Sequence, residues 1–421
     1  MNPKNQQASI GYEHWRRKTA WFLSGQAVSL FGSSLTQFSI VWYVTLATSS
    51  GMMIMLSSLC SFLPQILISM FGGVWADRHN RKFLIMIADG AIAFSTLILA
   101  VIFMAGYKEL WLLFLVSAIR SAGAGVQTPA VSALIPQLVP ADKLMRINGV
   151  NTTIQSLTTL VSPAASGAVL SIAGLEAAFF IDVVTAVIAI FIMSRIKVGK
   201  VKREQGQGAR MSVFDDLKYG IRYVWERPFL RAFFAFYAIL MFLVTPAALL
   251  TPLMTARSFG EEIWKLTANE MVWSLGTVIG GVIIAAWGGF KNHIHSIILG
   301  TFLFGTLTAG MGLSGNFILY LLILFITGLT IPLINSPGMV VLQESVEMDM
   351  QGRIFGLVQI VSSAAIPLGI SIFGPLADWV KVEFLLIITG ILMMVLGVSM
   401  LYNQSLRETE KQMPKEESER E

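Results

Sequence analysis

Charged residues are scarce in this chain. Asp, Glu, Lys and Arg make up 13% of its 421 residues, whereas soluble domains carry about 25%. Hydrophobic residues make up 55%, so a water-soluble globule would lack polar surface. The apolar residues come in blocks of about 20, the length that a helix needs to cross the hydrocarbon of a bilayer. The composition therefore predicts an all-α membrane protein.

Cysteine is also scarce, and several catalytic motifs are missing. The single cysteine, Cys60, cannot form an internal disulfide, and its place in an apolar run is typical of a small buried side chain. The sequence contains no G-x-x-x-x-G-K-[ST] and no H-E-x-x-H, and His293 and His295 form only a loop pair. No nucleophile lies in a pattern with a base. We therefore expect no enzyme activity, no ATP use, no metal and no cofactor.

The apolar blocks predict twelve membrane-spanning helices. The first block follows Arg16, Arg17 and Lys18. It is too long for a signal-peptide core and no A-x-A site follows it, so we interpret it as a span that is kept. The predicted spans are 20–47, 52–75, 83–105, 110–134, 148–172, 177–194, 229–255, 268–288, 294–314, 317–340, 354–377 and 383–403.

The distribution of basic residues predicts the orientation in the membrane. Of the 30 Lys and Arg residues, all but five fall on one side if the N-terminus is inside. Cytoplasmic loops collect Lys and Arg, so both termini are predicted to be cytoplasmic. The net charge of +5 then reflects these loops rather than nucleic-acid binding. The five exceptions are Lys108, Arg257, Lys265, Lys381 and the span residue Arg120.

The order of these segments predicts two helical halves and a linker. The stretch GKVKREQGQGAR has the composition of a flexible linker. The segment after it predicts an amphipathic helix on the membrane surface, with Val213, Phe214, Leu217, Ile221 and Val224 at helical spacing. The predicted domains are a six-helix bundle at 1–194, a basic linker at 195–228, a second six-helix bundle at 229–403 and a charged tail at 404–421.

The two halves share a weak repeat. The pattern D-x-x-x-R-I-x-G occurs at Asp142–Gly149 and again at Asp349–Gly356. Prolines flank both copies at similar offsets, with Pro163 corresponding to Pro367. The pattern indicates a gene duplication, and the alternative is a chance match.

The stretch GGVWADRHNRK between the second and third spans resembles a signature of the major facilitator superfamily. That signature, G-x-x-x-D-R-x-x-R-[RK], lies between helices 2 and 3 of the family, and two six-helix repeats are the family plan. Asn80 stands where the family often has glycine, and asparagine tolerates a left-handed backbone better than most residues. The residues in register are Gly73, Asp77, Arg78, Arg81 and Lys82.

This loop has a physical interpretation. Gly72 and Gly73 should let the second helix approach a neighbour closely. Asp77 needs a partner, because a lone carboxylate in a low dielectric is costly. Arg353 is the candidate partner, which predicts a latch that closes the cytoplasmic side in the outward-facing state. The alternative is that the loop serves only as a topology anchor.

The rest of the chain resembles the drug:proton antiporter branch, and within it the macrolide efflux permeases. The resemblance is visible in stretches such as LVSPAASG and IPLGISIFGPLAD. It implies that Pro163 and Gly167 form the helix 5 antiporter-like motif, with small residues in place of two glycines. The first helix carries Gln26 and Gln37 where many multidrug relatives have an acid. These two residues are predicted to hydrogen-bond either substrate or a neighbouring helix.

Three of the ionisable residues within the predicted spans are candidates for a functional role. A charge at that depth costs about 3 kcal/mol on insertion scales, so each is a functional candidate. Arg120 resembles the family arginine linked to proton relay. Asp182 and Asp89 are candidate proton carriers, since burial can raise the pKa of a carboxyl group. The alternative is that they form a structural pair or a helix cap.

Together these features predict a secondary exporter. The expected cargo is a hydrophobic or amphiphilic drug of the macrolide type, exchanged for protons by alternating access. The expected setting is the plasma membrane of a bacterium, in contact with lipid, and the protein is expected to work as a monomer. The alternatives are export of an endogenous siderophore or metabolite, and a partner or sensor subunit that does not itself transport.

Overall fold

The computed structural model describes residues 15–196, 213–290 and 292–403. This part of the chain is helical and contains no strand. A short 3-10 turn, Ala141–Lys143, precedes α5, and a π-helical turn, Thr255–Phe259, follows α8. The helices are α1 Trp15–Thr48, α2 Gly51–Arg78, α3 Arg81–Met104, α4 Leu110–Leu138, α5 Leu144–Arg195, α6 Val213–Glu226, α7 Pro228–Leu249, α8 Thr251–Met254, α9 Ile263–Trp287, α10 His293–Leu313, α11 Phe317–Ser345, α12 Met348–Trp379 and α13 Val382–Tyr402.

Eleven helical segments in the described residues are long and apolar enough to cross a membrane. The prediction of twelve spans differs because α5 joins two of them. Its 52 residues would extend about 78 Å as a straight helix, far more than the hydrocarbon thickness. Gly174 bends it, with a φ of 76° that glycine adopts without strain. The predicted spans 148–172 and 177–194 are therefore the two arms of α5, and the all-α membrane fold is confirmed.

The chain divides into two compact units. The first contains α1 to α5, except for Ser50–Met52, together with Glu262–Thr267. The second contains Ser50–Met52 and the remaining helices, α6 to α13, with α9 from Ala268 onward. The central part of the predicted linker, 197–212, and the predicted tail, 404–421, lie outside the described residues.

The interior of the first unit has two apolar clusters. One includes Phe22 and Leu134, and the other includes Ile40 and Phe179, all at most 1% exposed. Between them along α1, α3 and α4 lie polar residues that are also buried. The two clusters shield this middle layer from both ends of the unit, which strengthens electrostatic interactions within it.

The predicted amphipathic helix forms as α6. It packs against α12 and α7 of the second unit. Tyr223 and Val224 are buried, whereas Ile221 is exposed. A Cβ atom on Gly220 would lie 3.3 Å from a methyl carbon of Leu357, so this helix sits close to α12. The side chains of the predicted apolar residues Val213, Phe214 and Leu217 lie outside the described residues.

Both copies of the repeated pattern stand at the start of a long helix. Asp142 lies in the 3-10 turn that leads into α5, and Asp349 lies in the first turn of α12. Pro163 lies inside α5 and Pro367 inside α12. The corresponding positions of these residues support a duplicated plan.

Candidate functional site

A buried ion pair occupies the polar layer of the first unit. Arg120 of α4 is 6% exposed and Asp182 of the second arm of α5 is 1% exposed. The Nη1 atom of Arg120 donates to the Oδ2 atom of Asp182. It also donates to Thr96 Oγ1 at 2.6 Å, and Nη2 donates to the Ser33 carbonyl at 3.3 Å. The sequence marked both charged residues, and the structure brings them together as an ion pair.

A close approach between α1 and α5 completes the site. Ser33 donates its hydroxyl to Asp182 Oδ1 at 3.2 Å. The preceding residue, Gly32, makes this possible, because a Cβ atom there would overlap the side chain of Thr185 and lie 3.3 Å from the Asp182 Cα atom. Thr36 donates to the carbonyl of Ala178 at 3.0 Å and fixes the same interface. The glycine therefore positions a serine against the carboxylate.

Asp89 of α3 is buried in the same layer but has different partners. It is 3% exposed. Its Oδ1 atom accepts hydrogen bonds from Ser29 Oγ at 3.1 Å and from Gln127 Nε2 at 2.6 Å. Within the described residues no base forms an ion pair with it. Neutral donors can bond a carboxylate or a carboxylic acid, so Asp89 can exchange a proton without breaking an ion pair.

The first helix links the two acids. Ser29 and Ser33 are four residues apart, on one face of α1. Ser29 bonds Asp89 and Ser33 bonds Asp182. Sequence reasoning missed both serines, together with Gln127, because their roles depend on contacts between helices. The result is one polar network that crosses α1, α3, α4 and the second arm of α5.

The signature loop forms a tight turn within the first unit. A Cβ atom on Gly72 would lie 2.5 Å from the Gly125 carbonyl, so the expected close approach exists at this glycine. No atom lies within 4 Å of a Cβ atom on Gly73, so the expectation is wrong for that residue. Asn80 is also not left-handed: its φ is −68°, and it caps α3 by accepting from the Lys82 amide at 3.1 Å.

Two bases of the signature bind carbonyl groups. Arg81 donates to the Ala133 carbonyl at 2.7 Å. Lys82 donates to the carbonyls of Ser194 and Ile196, at 2.7 and 2.8 Å, where α5 ends. A cation at this position stabilises the negative end of the helix dipole. These bases thus tie the turn to α4 and α5, a role beyond the loop anchoring that we predicted.

Of the two predicted latch residues, Asp77 and Arg353, the structure describes the side chain of Arg353 and not that of Asp77. Arg78 ends α2 and is exposed, whereas the Asp77 side chain lies outside the described residues. Arg353 lies near the start of α12 in the second unit. Its Nη1 atom lies 3.3 Å from the Met350 sulfur, and its guanidinium lies 5.2 Å from the centre of the Tyr219 ring. The latch therefore stays a prediction.

The remaining predicted residues lie in the first unit. Gln37 donates to Ser61 of α2 at 3.0 Å. This bond corresponds to the second of the two predicted roles of Gln37, hydrogen bonding to a neighbouring helix. Gln26 is 4% exposed. Pro163 and Gly167 are buried in the first arm of α5.

One embedded acid was missed in the sequence. Glu270 lies in α9, inside the predicted span 268–288. An acid within an apolar run was a sufficient signal for marking it. Its neighbour Asn269 is 2% exposed and hydrogen-bonds to the hydroxyl of Tyr320 in α11. This second polar group lies in the second unit.

Long apolar helices in two units, with charges buried among them, define a polytopic membrane transporter. The chain belongs to the Major Facilitator Superfamily, whose profile matches residues 22–370. The family resemblance in the sequence is thereby confirmed. The family is one of transporters rather than enzymes.

Individual relatives give narrower comparisons. Macrolide efflux protein A of Streptococcus pyogenes is 29% identical over 391 residues, which cover 92% of this chain and 96% of that protein. The staphyloferrin A transporter of Staphylococcus aureus is 21% identical, over 86% of this chain and 89% of that protein. The crystal structure of a bacterial homologue of the human lysosomal transporter Spinster has a TM-score of 0.69 at 12% identity, and covers 94% of this chain and 98% of that one.

Proposed function

We propose that this transporter exports hydrophobic or amphiphilic drugs of the macrolide type in exchange for protons. The single observation that carries the proposal is the buried network of Arg120, Asp182 and Asp89. Ionisable groups at membrane depth are costly and mark ion pathways. Full-length similarity to macrolide efflux protein A of Streptococcus pyogenes supports the cargo.

The proposed coupling uses the difference between the two acids. A proton that binds to Asp182 removes its negative charge and releases Arg120 from the ion pair. Asp89 gains or loses a proton while Ser29 and Gln127, its two neutral donors, stay hydrogen-bonded to it. The two serines of α1 connect both acids, so a change in protonation alters how α1 is held. Movement of this helix is the step that would link protonation to alternating access.

The remaining proposals concern orientation and gating. Both termini lie in the cytoplasm of a bacterial cell, and the protein works as a monomer in its plasma membrane. Gln26 and Gln37 are the candidate contacts to the cargo, with a neighbouring helix as the alternative partner, which Gln37 has in Ser61. Pro163 and Gly167 provide the antiporter-like bend of helix 5. Asp77 pairs with Arg353 in the outward-facing state.

A siderophore is the second candidate cargo. The observation in its favour is the similarity to the staphyloferrin A transporter of Staphylococcus aureus over most of both chains. The lower identity, 21% against 29% for the macrolide efflux relative, ranks it second.

The test is accumulation of radiolabelled erythromycin in drug-sensitive cells, with and without this protein. We expect the protein to lower accumulation and a protonophore to restore it. Asp182→Asn should abolish erythromycin-induced alkalinisation in energised vesicles, because the residue no longer takes up a proton. Asp142→Asn is the matched control, since Asp142 is exposed and pairs with Lys143. Unchanged accumulation would refute the cargo, and unchanged alkalinisation in Asp182→Asn would exclude this acid.

A further inference from the structure

Glu270 lies well inside a membrane-spanning helix. It is seven residues beyond Ile263, the first residue of the 25-residue helix α9. Seven residues correspond to about 10 Å along the axis, and the whole helix extends about 37 Å. If α9 is centred in a hydrocarbon layer of about 30 Å, the carboxyl group lies roughly 7 Å inside it. At that depth an acid needs a polar or ionic partner.

A fixed amide stands next to this carboxyl group. Asn269 Oδ1 accepts from Tyr320 Oη at 2.7 Å and from Thr255 Oγ1 at 3.4 Å. Its Nδ2 atom donates to Thr251 Oγ1 at 3.4 Å. One amide hydrogen is left, and Asn269 directly precedes Glu270 in α9. The network therefore holds the Asn269 side chain in place next to the acid in the chain.

An irregular segment supplies two members of this network. After α7 ends, α8 carries Thr251, and Thr255 begins the π-helical turn Thr255–Phe259. Single π-helical turns occur frequently at functional sites. Both threonines are at most 3% exposed. This distortion brings buried hydroxyl groups to Asn269.

The charged groups nearest along the chain have other partners. Arg257 donates to Asp378 at 3.0 Å and to the Ala377 carbonyl at 2.6 Å. On α9 itself, Lys265 pairs with Glu262 at 2.8 Å. Tyr320 of α11 donates its hydroxyl hydrogen to Asn269, and Glu344 lies near the far end of the same helix. In the described ranges no base forms an ion pair with Glu270. The Glu270 residue is half-buried, so part of it is accessible from outside the protein.

We propose that Glu270 binds the protonated amine of an amphiphilic cationic substrate, with Asn269 as a positioning residue. This inference deepens the proposed function and rests on it. An ammonium group supplies the positive charge that the protein itself does not place beside this carboxylate. Embedded acids face the interior of a bundle or a water-filled cavity, where such a ligand can reach them. The site also gives the second unit the acid that the first helix lacks.

The test compares a basic and a neutral ligand on purified full-length protein in lipid nanodiscs. Erythromycin carries a dimethylamino group, and an N-demethyl-N-acetyl derivative of it is uncharged. We expect Glu270→Gln to weaken binding of erythromycin at least tenfold and binding of the neutral derivative less than twofold. Glu262→Gln is the matched control, because Glu262 directly precedes the same helix, is exposed and is already paired with Lys265. It should leave both affinities unchanged.

Other outcomes overturn the assignment. Equal loss of both ligands would indicate a general structural effect, and no loss of either would exclude Glu270 from binding. Unchanged binding together with lost proton exchange would assign Glu270 to the proton instead. If the wild type does not bind erythromycin, the macrolide proposal fails. Binding of ethidium, a lipophilic cation, then tests the site. The affinity for ethidium must be lower in Glu270→Gln than in the wild type if the proposal is correct.

Discussion

Removing the positive partner of the buried ion pair should destabilise the first unit. Arg120→Met keeps a long side chain but removes the guanidinium. Asp182, 1% exposed, would then retain only the hydroxyl of Ser33 at 3.2 Å. An uncompensated buried charge is the reason for the expected loss.

The size of the effect follows from burial. Breaking a buried pair by removing one partner costs about 3–5 kcal/mol. Unfolding entropy is about 2.1 cal/mol/K per residue, which gives about 0.9 kcal/mol/K for a chain of 421 residues. The midpoint of thermal unfolding should therefore fall by about 3–6 °C. Arg120→Met combined with Asp182→Asn should lose much less, because it leaves no unpaired charge.

The assay is thermal unfolding of the purified protein in detergent, followed by intrinsic tryptophan fluorescence at one scan rate. The wild type, both single variants and the double variant form a double-mutant cycle. We expect the double variant to be more stable than Arg120→Met. A double variant as unstable as the sum of the single variants would show that the two charges do not depend on each other, and the reasoning would be refuted.

Two further predictions concern the signature loop and the contact between α1 and α5. Asp77→Asn should reduce erythromycin efflux several-fold and favour the inward-facing state, since it removes the charge proposed to pair with Arg353. The conformational equilibrium is measured by distances between spin labels. Normal efflux together with an unshifted equilibrium would exclude the latch. Gly32→Leu should lower the unfolding midpoint through overpacking against Thr185, at a cost of about 1–3 kcal/mol. Gly149→Leu, where no atom lies within 4 Å of the added Cβ atom, should unfold like the wild type.

The sequence alone was sufficient for the membrane class and the family. Blocks of apolar residues and scarce charge predict spanning helices because the bilayer sets their length. The break between the predicted spans 148–172 and 177–194 falls at the bend at Gly174, but the sequence did not show that both arms belong to one continuous helix. Asparagine tolerates a left-handed backbone and is also a preferred helix cap, and at Asn80 the cap is what forms.

The sequence by itself determined which charges must be buried, since Arg120, Asp182 and Asp89 fall within apolar runs regardless of how the helices pack. Only the tertiary structure decided their partners. Arg120 and Asp182 are 62 residues apart in the chain, and their pairing depends on the packing of α4 against α1 and α5. The same holds for Ser29 and Gln127, whose bonds to Asp89 join three helices. Local sequence fixes the cost of burying a charge, whereas helix packing fixes which group compensates it.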